Sequence, residues 1–494
     1  MNLRTFSEVS LQRNQKLVVA VVYVAAMFMA IMDTTIVNVA LPTLGRDFHA
    51  RADSVGLVSI AYLVSLTVFI PASGWLGDRI GGRRALLAAV GLFTIASALC
   101  GLSTTLGELV AFRILQGAGG AVMTPVGLSM LFRVYPQAER VRLSSILAVF
   151  TALAPALGPI LGGVFTTDLT WRLVFLVNVP VGAVTFVFGV LLLAGHTQPH
   201  PGRLDVPGLA LSGLGLGSAM YGISEGPVSG WSSVPVLAAI VIGTSLLAVM
   251  IFVELRAASP LVNLRLFRHR LFTASTGIYA LGSVAYLGAL YLAALFFQDA
   301  LGMSALQSGL ATFPSALGVM AGGQVVTRLL YPRFGPRRVV ATGLLVVAGA
   351  MVLMALVTAD TDRWLVRVIM LGLGFGISFV FIPAQAASMA TITKAETGQA
   401  SPIFNAGKQL GGAVGVALLT TVLAAVGPTR EVAGQVVVNL TAFHDGFLAA
   451  AAAAVLAQAV ALTVRDADAA ATMVPPRGRS AVNEATEPAA AKAT

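Results

Sequence analysis

The chain has 494 residues, 57 % of them hydrophobic and 11 % charged, with a net charge of +10. Soluble domains carry about 25 % charged residues, so the composition excludes a soluble enzyme and describes a polytopic membrane protein. The basic residues lie in short loops between apolar runs, where they set topology rather than bind nucleic acid, and the single cysteine, Cys100, excludes an internal disulfide or a cysteine metal cluster.

The first apolar run, Leu17 to Leu41, is long enough to span a hydrocarbon core of about 30 Å, and it is broken by one acid, Asp33. The run is too long for a cleavable leader and has no small-residue cleavage site, so it reads as an uncleaved first helix. Asp33 lies about 12 Å below the Leu41 end. A carboxylate at such depth costs roughly 2.5–3.5 kcal/mol on insertion scales, which marks an ionisable functional site.

Apolar windows give fourteen spans: 17–41, 54–76, 85–103, 107–130, 144–166, 172–194, 206–224, 233–253, 271–297, 306–330, 337–358, 364–388, 402–425 and 443–464. With the N-terminus inside, the outer segments hold only Arg46, Arg51, Arg172, Arg363, Arg367 and Arg430, and Arg113 and Lys408 fall within spans. All other basic residues, Arg203 and Lys394 among them, face the cytoplasm, so both termini are expected there. GGRR at Gly81–Arg84 is echoed by GPRR at Gly335–Arg338, each in a short loop leading into the next helix. Repeated halves are common in secondary transporters. The expected organisation is a cytoplasmic tail (1–16), a six-helix bundle (17–199), two inserted helices (200–262), a second six-helix bundle (263–464) and a disordered tail (465–494).

Four stretches carry candidate chemistry. GWLGDRIGGRR supplies Gly74, Asp78, Arg79, Gly81, Arg83 and Arg84, an acid followed by arginines among turn-permitting glycines, suited to a charged latch between two conformations. The fourth span places Arg113, Gln116 and Gly117 on one helical face. Arg113 is about 9 Å in from the outer end, the same layer as Asp33, and buried charges need partners. The fifth span spaces Pro155 and Pro159, and Gly158 and Gly162, four apart, with Gly163 following; this is a small-residue face for close packing or hinging. Lys408 is close enough to the inner end of its span to snorkel, or it lines a substrate path with Asn38, Tyr62, Tyr286, Phe313 and Gln385. No GxxxxGK[ST] loop is present, so active work must draw on an ion gradient.

These residues resemble the major facilitator superfamily, in particular its fourteen-helix drug:proton antiporter branch (EmrB/QacA-type). MDTTIVNVALP (from Met32), GWLGDRIGGRR, RILQGAGGA (from Arg113), ALGPILGG (to Gly163) and WRLVFLVNVPVG (from Trp171) match its signatures in order. In the second loop Pro332 takes the place matching Asp78, which departs from the pattern. The resemblance implies an all-α fold of two six-helix bundles plus two inserted helices, and export of lipophilic or amphipathic compounds by alternating access in exchange for protons. It gives Asp33 and Arg113 the coupling roles, with no cofactor and no metal. Asp299 and Asp445 sit at outer span edges, which favours neutral or monovalent lipophilic substrates over polycations. Expected partners are the lipid bilayer of the cytoplasmic (inner) membrane, protons and a small lipophilic substrate; no nucleic acid and no obligate protein partner is inferred. The alternatives are a dedicated exporter or importer of one metabolite, lipid or siderophore, and a non-transporting membrane sensor.

Overall fold

A computed structural model of the chain describes residues 3–50, 52–194, 205–257, 260–393, 396–432 and 435–473. The first six helices are α1 (Leu3–Asp47), α2 (Ala52–Ile80), α3 (Gly82–Leu102), α4 (Leu106–Val134), α5 (Arg140–Asp168) and α6 (Leu173–Leu192). Then follow α7 (Val206–Ser229), α8 (Val234–Arg256), α9 (Arg270–Leu295), α10 (Pro314–Val325, preceded by the short helix Ala305–Thr312), α11 (Tyr331–Met354), α12 (Arg363–Ser388), α13 (Thr397–Val426) and α14 (Leu440–Ala461). Helices dominate because lipid offers no partner for backbone polar groups, which must then bond within their own segment. A small antiparallel ribbon, Thr429–Val432 with Gln435–Val438, joins α13 to α14; it is a minor departure from the all-helical expectation.

Thirteen stretches of the described chain are long and apolar enough to cross a membrane. One of them, Leu306–Met354, has 49 residues, roughly twice the length that a hydrocarbon core requires. It is interrupted at Gly335, whose φ of 72° and ψ of 174° are not helical. The expected spans 306–330 and 337–358 lie on either side of that break. Gly81, the matching residue of the first loop, has φ 87°. Positive φ is costly for a residue with a β-carbon, so both copies of the motif need glycine at the same corner.

Helices α1 to α6 pack on one another, as do α9 to α14. α7 and α8 pair, and α7 leans on α2 and α13: Gly213 and Gly217 of α7 close on Val68, and Trp231 Nε1, in the turn between α7 and α8, donates to Thr421 Oγ1 at 2.9 Å.

α1 is helical from Leu3, so the N-terminal tail runs into the first span without a break. One expectation about the chain ends needs correction. The stretch Arg465–Met473, expected to be disordered, instead forms a helical turn at Asp466–Ala469 and another at Ala470–Met473. Ala469 and Thr472 are buried and lie three apart on one face. Asp466 Oδ1 accepts the Arg337 amide at 2.9 Å, and Tyr331 and Thr472 share a hydroxyl bond of 2.7 Å. The Gly335 corner therefore draws its acid from beyond α14, where the first copy has Asp78 in its own loop. Residues 474–494, together with Arg51, Arg203 and Lys394, lie outside the described residues.

Candidate functional site

Asp33 sits on α1 with no exposed surface, immediately before Thr34 and Thr35, whose hydroxyls bond back to the carbonyls of Ile31 and Met32 at 2.7 and 3.0 Å. Such back-bonding competes with the helix ladder and favours a local bend. The carboxylate is held from two sides. Arg113 of α4, 1 % exposed, donates Nη1–H to Asp33 Oδ2. Gln116, one turn further along α4, donates Nε2–H to Oδ1 at 2.9 Å, and Asn178 of α6 donates Nδ2–H to the same oxygen at 3.1 Å.

The guanidinium is positioned as fully as the acid. Its Nε donates to the carbonyl of Val58 at 3.1 Å, and Nη1 also reaches Gln116 Oε1 at 2.8 Å. The Tyr62 ring lies 4.1 Å from its central carbon, while the Tyr62 hydroxyl donates to Ala30 O at 3.3 Å. Ser97 of α3 completes the set, accepting from Gln116 at 3.1 Å and Asn178 at 3.2 Å. Helices α1, α2, α3, α4 and α6 thus converge on one carboxylate. α5 closes the remaining side: a β-carbon on Gly158 would collide with Thr35, and one on Gly162 would stand 3.0 Å from the Ile36 carbonyl. Pro155, Pro159 and Gly163 share that helix and are half-buried.

The two charges are buried, and removing one partner of a buried pair costs about 3–5 kcal/mol because the other is left uncompensated. Asn178 Oδ1, beside the acid, is buried without a hydrogen-bond partner among the described residues, so the network holds one unused acceptor next to the carboxylate.

The Gly74–Arg84 loop forms a second constellation, between the two halves. Asp78 pairs with Arg133 of α4 at 3.0 Å, rather than with an arginine of its own motif. Arg79 and Arg84 are exposed, and Arg83 donates to the carbonyl of Val190 at 2.5 Å. Gly74 meets the first turn of α13: its β-carbon would stand 2.5 Å from Gly398 O and 3.2 Å from Pro402. A β-carbon on Gly398 would be 2.8 Å from the Asp78 carboxylate. The acid therefore lies at a helix N-terminus, where a negative charge is favoured. On the same face Gln137 donates to Ala390 O at 2.7 Å, and the buried Arg140 donates to Met389 O. Asp78→Asn, which loses about 1.5–3 kcal/mol of charge-assisted bonding, is expected to speed hydrogen exchange of the α13 first-turn amides about tenfold or more; an unchanged exchange rate would show that this contact is not a latch.

The expected substrate-path residues are dispersed. Tyr62 belongs to the Arg113 site, and Gly117 packs on its backbone, with a would-be β-carbon 2.6 Å from Tyr62 O. Asn38 is exposed and accepts from Ser59 at 2.9 Å. In the second half Tyr279 stacks on Phe381 at 4.4 Å and meets Phe404 at 4.7 Å, with Tyr286 edge-on to Phe381 at 5.8 Å. Gln385 is buried on α12, beside this aromatic group in sequence, and Phe313 is half-buried ahead of α10. Lys408 is half-buried one turn beyond Phe404 and forms no ion pair among the described residues.

The Major Facilitator Superfamily model matches residues 23–416. The chain belongs to the major facilitator superfamily. As a member it is a transporter and not an enzyme. It is 30 % identical over 397 residues to the tetracenomycin C resistance and export protein of Streptomyces glaucescens, covering 80 % of this chain and 74 % of that protein. It is also 30 % identical over 408 residues to the multidrug resistance protein B homolog of Mycobacterium tuberculosis (strain ATCC 25618 / H37Rv), covering 81 % and 75 %. The crystal structure of the human organic anion transporter MFSD10 (TETRAN) superposes with a TM-score of 0.64 over 90 % of this chain and 99 % of that one, at 15 % identity; that likeness shows the superfamily fold. Within that fold, the Asp33 network holds buried charge and the Asp78 contact holds charge between the two halves.

Proposed function

We propose that this transporter exports lipophilic or amphipathic compounds in exchange for protons, by alternating access across the cytoplasmic membrane, with both termini in the cytoplasm. Fourteen crossings follow if Leu306–Met354 passes twice, turning at Gly335. The observation that carries the reading is Asp33, a fully buried acid tied to Arg113, Gln116 and Asn178, the last two joined through Ser97. Protonation removes the negative charge and releases the guanidinium. Rotation of the Asn178 amide would offer its free Oδ1 to the new O–H, so the neutral acid has an acceptor at hand. Each state has its own set of bonds, and a two-state element biased by a proton is what coupling requires. Inward movement of one charge supplies about 2.3 kcal/mol per 100 mV, plus the pH gradient.

Proteoliposomes with an imposed pH gradient test the reading. Amphipathic dyes are expected to leave against their gradient while protons enter, and Arg113→Ala is expected to reduce coupled efflux at least tenfold while downhill leak persists. Efflux indifferent to the pH gradient would refute proton exchange. The second reading, a carrier dedicated to one natural product, is favoured by the similarity to a protein named for tetracenomycin C export; under it most compounds of a dye and antibiotic panel would be ignored.

A further inference from the structure

The inserted pair α7 and α8 carries a charged feature that the Asp33 network does not use. Asp205 caps α7, its Oδ1 accepting the Gly208 amide at 2.8 Å. Glu254, near the end of α8, is 2 % exposed, and its Oε1 accepts the Val262 amide at 3.2 Å. The two carboxyls converge over Gly208: a β-carbon there would collide with Glu254 Oε1 and stand 2.7 Å from Asp205 Oδ2. Asp205 Oδ2 and Glu254 Oε2 are both buried and have no hydrogen-bond partner among the described residues. Ser212, one turn beyond Gly208, is already donating to Gly208 O at 2.6 Å.

No cation answers this pair among the described residues. On α8 itself the exposed Arg256 turns away, its guanidinium 3.5 Å from the Phe252 ring. In the segment that follows, Arg265 and Arg268 form no ion pair. Toward α13, Asn263 bonds Gln399 at 2.8 Å and Glu396 is engaged with Thr393 at 2.7 Å. On α2, Asp78 is held by Arg133 and Arg79 is exposed. No third His, Cys, Asp or Glu joins the two acids to make a metal-sized group among the described residues. Two neighbouring carboxylates, one of them enclosed, cannot both stay ionised without a penalty, and the usual resolution is a shared proton.

We propose that Asp205 and Glu254 form a second proton-binding site, at the membrane face that carries the Gly74–Arg84 loop. One carboxylate takes a proton from solvent, and the resulting O–H donates to the oxygen of the other, which remains charged. Asp205 is the half-exposed member and the point of entry, while Glu254 is the enclosed one. The pair sits where α7 begins and α8 ends, on a hairpin that touches both α2 and α13, so its occupancy acts at the seam between the halves.

The test is a pH titration of the purified full chain in lipid nanodiscs, followed by infrared difference spectroscopy of the carboxyl C=O stretch. A protonated-carboxyl band is expected at neutral pH in the wild type and in Asp33→Asn, and its loss is expected in both Glu254→Gln and Asp205→Asn. A wild-type spectrum with no protonated carboxyl beyond that removed by Asp33→Asn would overturn the proposal, whether or not the Glu254 variant folds. So would a band that survives both amide substitutions. Mn²⁺ bound at neutral pH by the wild type and lost in Glu254→Gln, read by paramagnetic resonance, would also overturn it and make the pair a metal site. None of these readouts depends on transport, so their failure is separate from failure of the exporter reading.

Discussion

Asp33→Asn is expected to bring pH-gradient-driven efflux in proteoliposomes down to that of protein-free vesicles, while the protein still inserts. The amide preserves shape and can still accept from Gln116 or Asn178, which bond Asp33 Oδ1 at 2.9 and 3.1 Å. It can neither take up a proton nor balance Arg113, which the fold leaves 1 % exposed. The stranded guanidinium should therefore cost about 3–5 kcal/mol of stability, seen as a lower melting temperature. Adding Arg113→Gln should return most of that stability, because the uncompensated charge is gone, yet leave efflux absent. The two readouts separate a coupling role from a structural one: an ion pair kept only for packing would let the double variant transport. Unchanged efflux in Asp33→Asn alone would be decisive against the mechanism.

Gly158→Leu is expected to abolish transport for a steric reason. Even the first carbon of a side chain at Gly158 would collide with Thr35 Oγ1 and stand 2.9 Å from Thr35 Cβ and 3.0 Å from the Ile36 amide nitrogen. Two of those contacts are not the tips of flexible chains, so α1 or α5 must shift. Overpacking of this kind costs about 1–3 kcal/mol, sometimes more, and here the displaced turn of α1 is the one that carries Asp33. Loss of efflux is expected together with a lower melting temperature. Gly349 is the internal control, since nothing lies within 4 Å of a β-carbon there; Gly349→Ala should leave both properties unchanged. Equal tolerance at the two positions would remove the close α1–α5 contact from the account.

The sequence shows much of this because lipid simplifies the problem. A charge inside an apolar run stands out, and equal depth in two spans was enough to bring Asp33 and Arg113 together. Gln116 follows from its position one turn along the same face. Asn178 does not, although it lies within the WRLVFLVNVPVG stretch: an amide carries no charge to flag it, and its partners come from α1 and α3. Arg133 is hidden for the opposite reason. One more basic residue in a positive-inside loop looks like topology, and only the packed structure selects it, from several arginines, as the partner of Asp78. The acids at Asp205 and Glu254 fall 49 positions apart at opposite ends of a hairpin, so only the folded hairpin brings them over Gly208.

The clasp between the Gly335 corner and Asp466 alters where the carrier ends as a working object. The backbone of that corner is held by a side chain that follows the last crossing, so the stretch Arg465–Met473 is hardware rather than trailing thread. A reporter domain or purification handle spliced directly after Ala461 would displace a working part, whereas one attached beyond Met473 would leave it in place. Alterations in this short stretch should accordingly register as defects of the second half rather than as harmless trimming.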